Sequence, residues 1–174
     1  MADNTHKINL IIITPKKTFY EGMVSSASLP TIDGEFGVMA GHTPFVAALF
    51  PGTCSIRIDE DIKHCVISEG YAEINQRTII VICNSAEWPE EIKVRQIFES
   101  YREGMAELER QDKEGIGQVY AEDVKRMVDR SRARLRLIER YGINKRNIHI
   151  EWLAMGVTAR SEPLSVALLK FRKS

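Results

Sequence analysis

The chain changes texture once, at Trp88-Pro89. Before that point, short runs rich in Ile, Val, Thr and Phe are separated by Gly, Pro, Asp and Asn: KINLIIIT, MVSSASLP, GVMAG, FVAALF, CSIRI, HCVIS, YAEI and RTIIVICN. Runs this short between turn formers read as strands. The alternation of Cys54, Ile56 and Ile58 with other residues marks a half-buried one. About eight such strands predict an antiparallel sandwich or barrel. After Pro89 the β-branched runs stop, and Ile92, Val94, Ile97, Phe98, Tyr101, Met105 and Leu108 recur among Glu and Arg at helical spacing. An amphipathic helix over about residues 90–110 follows, with Pro89 where a first-turn proline is tolerated. The glycines of QDKEGIG, residues 111–117, break it. A second periodic stretch carries Tyr120, Val124, Met127, Val128, Leu135, Ile138 and Tyr141, and Gly142 stops it. Two helices so briefly connected pack as an antiparallel hairpin.

The expected architecture is therefore α+β: an N-terminal antiparallel β-sandwich or barrel over residues 1–87, then a helical hairpin over 88–141. The remaining segment, 142–174, fits neither half, with its alternating Ile148, Ile150 and Trp152 and an apolar run over 166–169. A chain of 174 residues suits a medium domain with a real core plus a smaller appendage.

Lysine plus arginine balances aspartate plus glutamate at 24 each, so any attraction to nucleic acid or acidic lipid has to be local. The three cysteines, Cys54, Cys65 and Cys83, lie in apolar stretches without metal-ligand or redox spacing. They read as buried free thiols of a reducing compartment. The N-terminal MADNTHKINLIIITPKK has no basic region ahead of a short apolar run, so neither a signal peptide nor a transmembrane helix is expected.

The stretch LPTIDGEFGVMAGHTPFVAALFPG, residues 29–52, gathers glycines with Asp33, Glu35 and His42. Phosphate cradling needs a glycine loop feeding a helix with a lysine and a hydroxyl, and no such pair follows Gly34, Gly37 and Gly41. A metal reading lacks the spacing that would converge ligands. Turn formation is the ordinary role of such residues between strands, and His6, His64 and His149 have no sequence partner either. The second helix differs. From 124 to 146 it carries Lys125, Arg126, Arg130, Arg132, Arg134, Arg136, Arg140, Lys145 and Arg146 against Asp129 and Glu139. Two readings stand, a solvated charged face and a surface for an acidic partner. An adaptor for nucleic acid is the weaker alternative, since no aromatic platform or recognised module accompanies the charge.

The 29–52 stretch resembles the signature of the epsilon subunits of bacterial F-type ATP synthases: a Gly-Glu-x-Gly turn, then Gly-His-x-Pro, then an apolar strand closed by Pro-Gly. Here these are Gly34, Glu35, Gly37, Gly41, His42, Pro44, Pro51 and Gly52, and SEGYAEI, residues 68–74, is similar to the segment that follows. The resemblance covers about residues 7–141 and includes the order of β-half and helical hairpin. It implies a non-catalytic rotor subunit without cofactor or metal, peripheral on the cytoplasmic face of the bacterial membrane. The sandwich would dock through Glu35 and His42 on the gamma subunit and the c ring. The hairpin would lie against the sandwich or extend into the alpha/beta head, where Arg126, Arg130, Arg134 and Arg140 meet acidic segments and restrain ATP hydrolysis. Some members bind ATP through Ile/Leu-Asp-x-x-Arg-Ala at the start of the first helix. EEIKVRQIF does not match: with Ile92 first, Lys93 replaces the acid and Gln96 the arginine.

Overall fold

The structure, a computed structural model, describes residues 7–114 and 118–141. The segment 142–174, including the Gly142 stop, Lys145, Arg146 and His149, lies outside the described residues, as does His6. The chain divides after Trp88 into two compact units, and each is described by itself.

The first unit is a two-sheet sandwich. Strands β1 (Ile8–Ile13), β2 (Thr18–Val24), β5 (Phe45–Leu49), β8 (Gly70–Ile74) and β9 (Thr78–Cys83) form one sheet in the order β2-β1-β9-β8-β5. Strands β3 (Ser26–Thr31), β4 (Gly34–Met39), β6 (Gly52–Ile58), β7 (Asp61–Ile67) and β10 (Ala86–Glu87) form the other, ordered β10-β7-β6-β3-β4. Neighbours run antiparallel except β1 and β9, a parallel pair joined through most of the unit's length.

Two strands depart from the sequence expectation. The run MVSSASLP is divided at Ser25, whose N–H leaves the ladder register to donate to the Arg57 carbonyl at 2.8 Å while its hydroxyl accepts from Asp59 N–H at 3.1 Å. The first part of β2, and the two-residue β10, carry no buried alternation because both sit at sheet edges, where a strand need not present an apolar face.

The core lies between the sheets. Ile8, Leu10 and Ile12 of β1 and Ile79 and Val81 of β9 are fully buried from one side, and Leu29, Cys54, Ile56 and Cys65 from the other. Burying one such aliphatic side chain contributes about 1.5–3 kcal/mol. All three cysteines are free and buried, with Cys54 directly opposite Cys65 on β6 and β7. Burial pushes the Cys83 thiol up to about 11, and a hydrogen bond with Cys54, then burial, holds Cys65 well above the ordinary thiol range. Trp88 stacks on Phe19 at 4.7 Å and meets Tyr20 edge-on at 6.4 Å, so it closes the sandwich.

In the second unit Pro89 opens a 3-10 turn, Pro89–Glu91, which replaces the first helical turn expected there. Helix α1 therefore begins later, as Val94–Glu114, and runs into the segment read as a break. Helix α2 is Gln118–Tyr141. Along α1, Ile97, Tyr101, Gly104 and Gln111 are buried and Leu108 is half-buried; along α2, Val128, Ser131, Leu135 and Ile138 are buried and Val124 is half-buried. Both rows alternate steps of four and three residues, the spacing of a two-helix seam. A Cβ on Gly104 would come within 2.6 Å of Val128 Cγ2, so the helices approach closely at the glycine. Among the described residues no helix is long and apolar enough to cross a membrane.

Candidate docking surfaces

The glycine-rich stretch builds a hairpin and an edge-crossing loop. Gly34 and Gly41 take φ values of +124° and +81°, conformations that a side chain disfavours. Thr31 Oγ1 donates to the Gly34 carbonyl at 2.9 Å, which fixes the turn between β3 and β4. Glu35 follows on β4, paired with Pro30 and exposed on the outer face of its sheet, where the Ser28 hydroxyl donates to its Oε2 at 3.4 Å.

The chain then crosses from β4, the last strand of one sheet, to β5, the last strand of the other. His42 sits in that crossing and is half-buried. Its Nδ1–H donates to the Thr43 carbonyl at 2.9 Å, and its ring lies 5.5 Å from Phe36 and 5.3 Å from Phe45, which meet edge-to-face at 5.1 Å. The histidine thus packs with the phenylalanines of the two edge strands, joining the sheets where neither has a further strand. Glu35 and His42 are not brought together: one points outward from β4, and the other is held by aromatic rings.

The four arginines singled out on α2 fall within about 120° of the helix circumference at 100° per residue. Arg126 and Arg140 are exposed, and Arg130 and Arg134 half-buried. Arg126 pairs with Asp123 at 2.5 Å one turn back, the Arg140 guanidinium lies 5.4 Å from the Tyr141 ring, and Arg130 and Arg134 are also engaged. Ala133 and Leu137, on the same side, are buried. The arginine side is therefore partly occupied rather than a ribbon of spare cations.

One surface was missed in the sequence. On the outer face of the β2-β1-β9-β8-β5 sheet, the register aligns Ala48, Tyr71, Ile82 and Ile13 in one row across four strands. The next row is Val46, Glu73, Ile80, Ile11 and Glu21. Val46 is 67% exposed, Tyr71 47% and Ile82 36%. On the outer face of the other sheet the row Gly37, Ser28, Ser55 and His64 is polar, with a 3.0 Å hydrogen bond between Ser55 Oγ and His64 Nδ1, while the next row, Met39, Ser26, Arg57 and Ile62, exposes Met39 and Ile62 at its ends. An apolar row running across four strands makes this face a candidate docking surface. The signal was present in RTIIVICN, where Ile80 and Ile82 are apolar on the side away from Ile79 and Val81, as in strands covered on both faces. Among the described residues no group of three or more His, Cys, Asp or Glu side chains is placed to hold a metal ion.

Residues 7–89 match the beta-sandwich domain of the ATP synthase Delta/Epsilon chain. The chain is 35% identical to the ATP synthase epsilon chain of Staphylococcus haemolyticus over 133 residues, 76% of this chain and 96% of that one. It is 33% identical to that of Rippkaea orientalis over 126 residues, 72% and 90% of the two chains. Among solved structures, the fold is similar to a chain of the Euglena gracilis mitochondrial ATP synthase, OSCP/F1/c-ring, with a TM-score of 0.62 at 21% identity over 73% of this chain and 78% of that one. With relatives matched over nearly their full length, a matching sandwich and a following pair of helices, the chain belongs to the ATP synthase epsilon-chain family.

Proposed function

We propose that this chain is a non-catalytic central-stalk subunit of a proton-translocating F-type ATP synthase, peripheral on the cytoplasmic face of the membrane, that couples c-ring rotation to the catalytic head. The observation that carries the reading is the apolar row on the outer sheet face, in a member of this family: Ala48, Tyr71, Ile82 and Ile13, the first three of them exposed, call for a partner. The gamma subunit is that partner. The β3–β4 hairpin, with Glu35 on its outer face, meets polar loops of the c ring, and His42 acts indirectly, by holding the edge loop beside it.

The helical unit restrains ATP hydrolysis by presenting Arg126, Arg130, Arg134 and Arg140 to acidic segments of the alpha and beta subunits. Such a partner competes with pairs inside the helix, as at Arg126 and Asp123, but exposed pairs are worth only about 0–1 kcal/mol each and yield readily. Single arginines are then nearly silent, and several together supply the few kcal/mol that bias a two-state element. Replacement of all four by Ala in the assembled enzyme is expected to raise ATP hydrolysis, with the inhibition weakening as salt increases. Unchanged hydrolysis in the fourfold variant, across a range of ATP concentrations, would refute the inhibitory role.

A further inference from the structure

Among the described residues of the α1–α2 seam, one buried side chain lacks a hydrogen-bond partner for one of its polar atoms. Gln111 is only 6% exposed, and its amide oxygen has no hydrogen-bond partner. Its Nε2 donates to Glu107 Oε1 at 2.8 Å. The Glu107 carboxylate is in turn held by Arg110, with Nη2 to Oε1 at 2.7 Å and Nε to Oε2 at 3.0 Å. Hydrogen bonds from Arg110, and then from Gln111, keep that carboxyl below its usual range, so it is an anion. The anion fixes the amide: turning Gln111 over would set its oxygen against a carboxylate oxygen. The amide oxygen is therefore left out of reach of water and without a donor.

Its position matters as much as its chemistry. Gln111 continues the four-three spacing of Ile97, Tyr101, Gly104 and Leu108, so a polar residue occupies a seam position of a two-helix pair. The seam is thin elsewhere too, with Gly104 on one helix and Ser131 on the other. A buried carbonyl without a donor raises the free energy of the closed pair but not that of a parted one, in which water supplies the missing hydrogen bond.

We propose that Gln111, locked by the Glu107–Arg110 pair, is a release position: its unmade hydrogen bond weakens the closed α1–α2 seam and makes the helices part more readily. The consequence for ATP hydrolysis rests on the inhibitory reading above, but the structural claim does not. The test is native-state hydrogen exchange on the full chain. Gln111→Leu fills the seam without the orphan oxygen and is expected to slow exchange of α1 and α2 amides near residues 104–111 and 124–131 about tenfold. Glu107→Ala removes the acceptor of Gln111 Nε2 without supplying a donor to the oxygen, and is therefore not expected to slow these amides. Unchanged or faster exchange in Gln111→Leu, with the sandwich amides unaffected, would overturn the proposal. In the assembled enzyme Gln111→Leu is expected to raise hydrolysis by favouring the closed pair. Slowed exchange with unchanged hydrolysis would support the release position and refute the inhibitory role.

Discussion

Gly104 offers a quantitative test of the helical pair. In an isolated helix, Gly→Ala gains about 1 kcal/mol from propensity alone. Here the new Cβ would lie 2.6 Å from Val128 Cγ2 and 2.9 Å from Met127 Cε, against ordinary carbon separations of about 3.5–4.0 Å. Met127 is unbranched and can swing away. Val128 is 2% exposed and, being β-branched in a helix, has one strongly preferred rotamer, so the helices must move apart by about 1 Å instead. Overpacking of this kind costs about 1–3 kcal/mol, which outweighs the propensity gain and leaves Gly104→Ala destabilising by about 1 kcal/mol. In a Val128→Ala background the obstructing methyls are gone, and the same substitution should stabilise by about 1 kcal/mol. The sign reverses, and the coupling energy equals the overpacking cost. Opening free energies from hydrogen exchange at the protected amides of α1 and α2 in the four variants of the cycle measure it. Equal effects of Gly104→Ala in both backgrounds, within about 0.5 kcal/mol, would show that the helices do not meet there.

A chain ending at Trp88 is expected to unfold in one cooperative thermal transition, and Trp88→Ala within it to cost about 2 kcal/mol by removing the stack on Phe19; a truncated chain without a transition would refute the independence of the sandwich. Glu35→Gln should weaken coupling of proton flow to synthesis modestly while leaving hydrolysis by the isolated catalytic head unchanged, and a changed chemical step there would count against a docking role. The raised Cys83 pKa has a definite sign: above the ordinary thiol value near 9.0 the unfolded chain ionises while the folded thiol stays protonated up to about 11, so stability falls across that window. Denaturant midpoints from pH 8 to 11, compared with Cys83→Ala, should show the decline in the parent and a smaller one in the variant; equal slopes would mean that Cys83 is not buried as described.

The sandwich was legible because burial imposes a short-range pattern. Cys54, Ile56 and Ile58 alternate, and Gly34 and Gly41 stand where positive φ is needed. The apolar outer face was obscured by the same rule: with Ile80 and Ile82 outward and Ile79 and Val81 inward, alternation vanishes and the run reads only as a strand. On the helices, periodicity located both elements but drew attention to Phe98 and Met105, whereas the seam runs through Gly104 and Gln111, which carry no hydrophobic signal. Their importance comes from what faces them. His42 likewise could be singled out but not assigned, because Phe36 and Phe45 reach it from edge strands of two different sheets.

The central claim is most directly tested by isolating the tagged full chain from gently solubilised membranes and identifying what accompanies it. The account predicts the gamma subunit and the c ring in stoichiometric amounts, with the gamma association lost on placing charge in the apolar row, as in Tyr71→Asp with Ile82→Lys. Recovery of the chain without gamma and c subunits, or undiminished gamma binding by the charged variant while its sandwich remains folded, would contradict it.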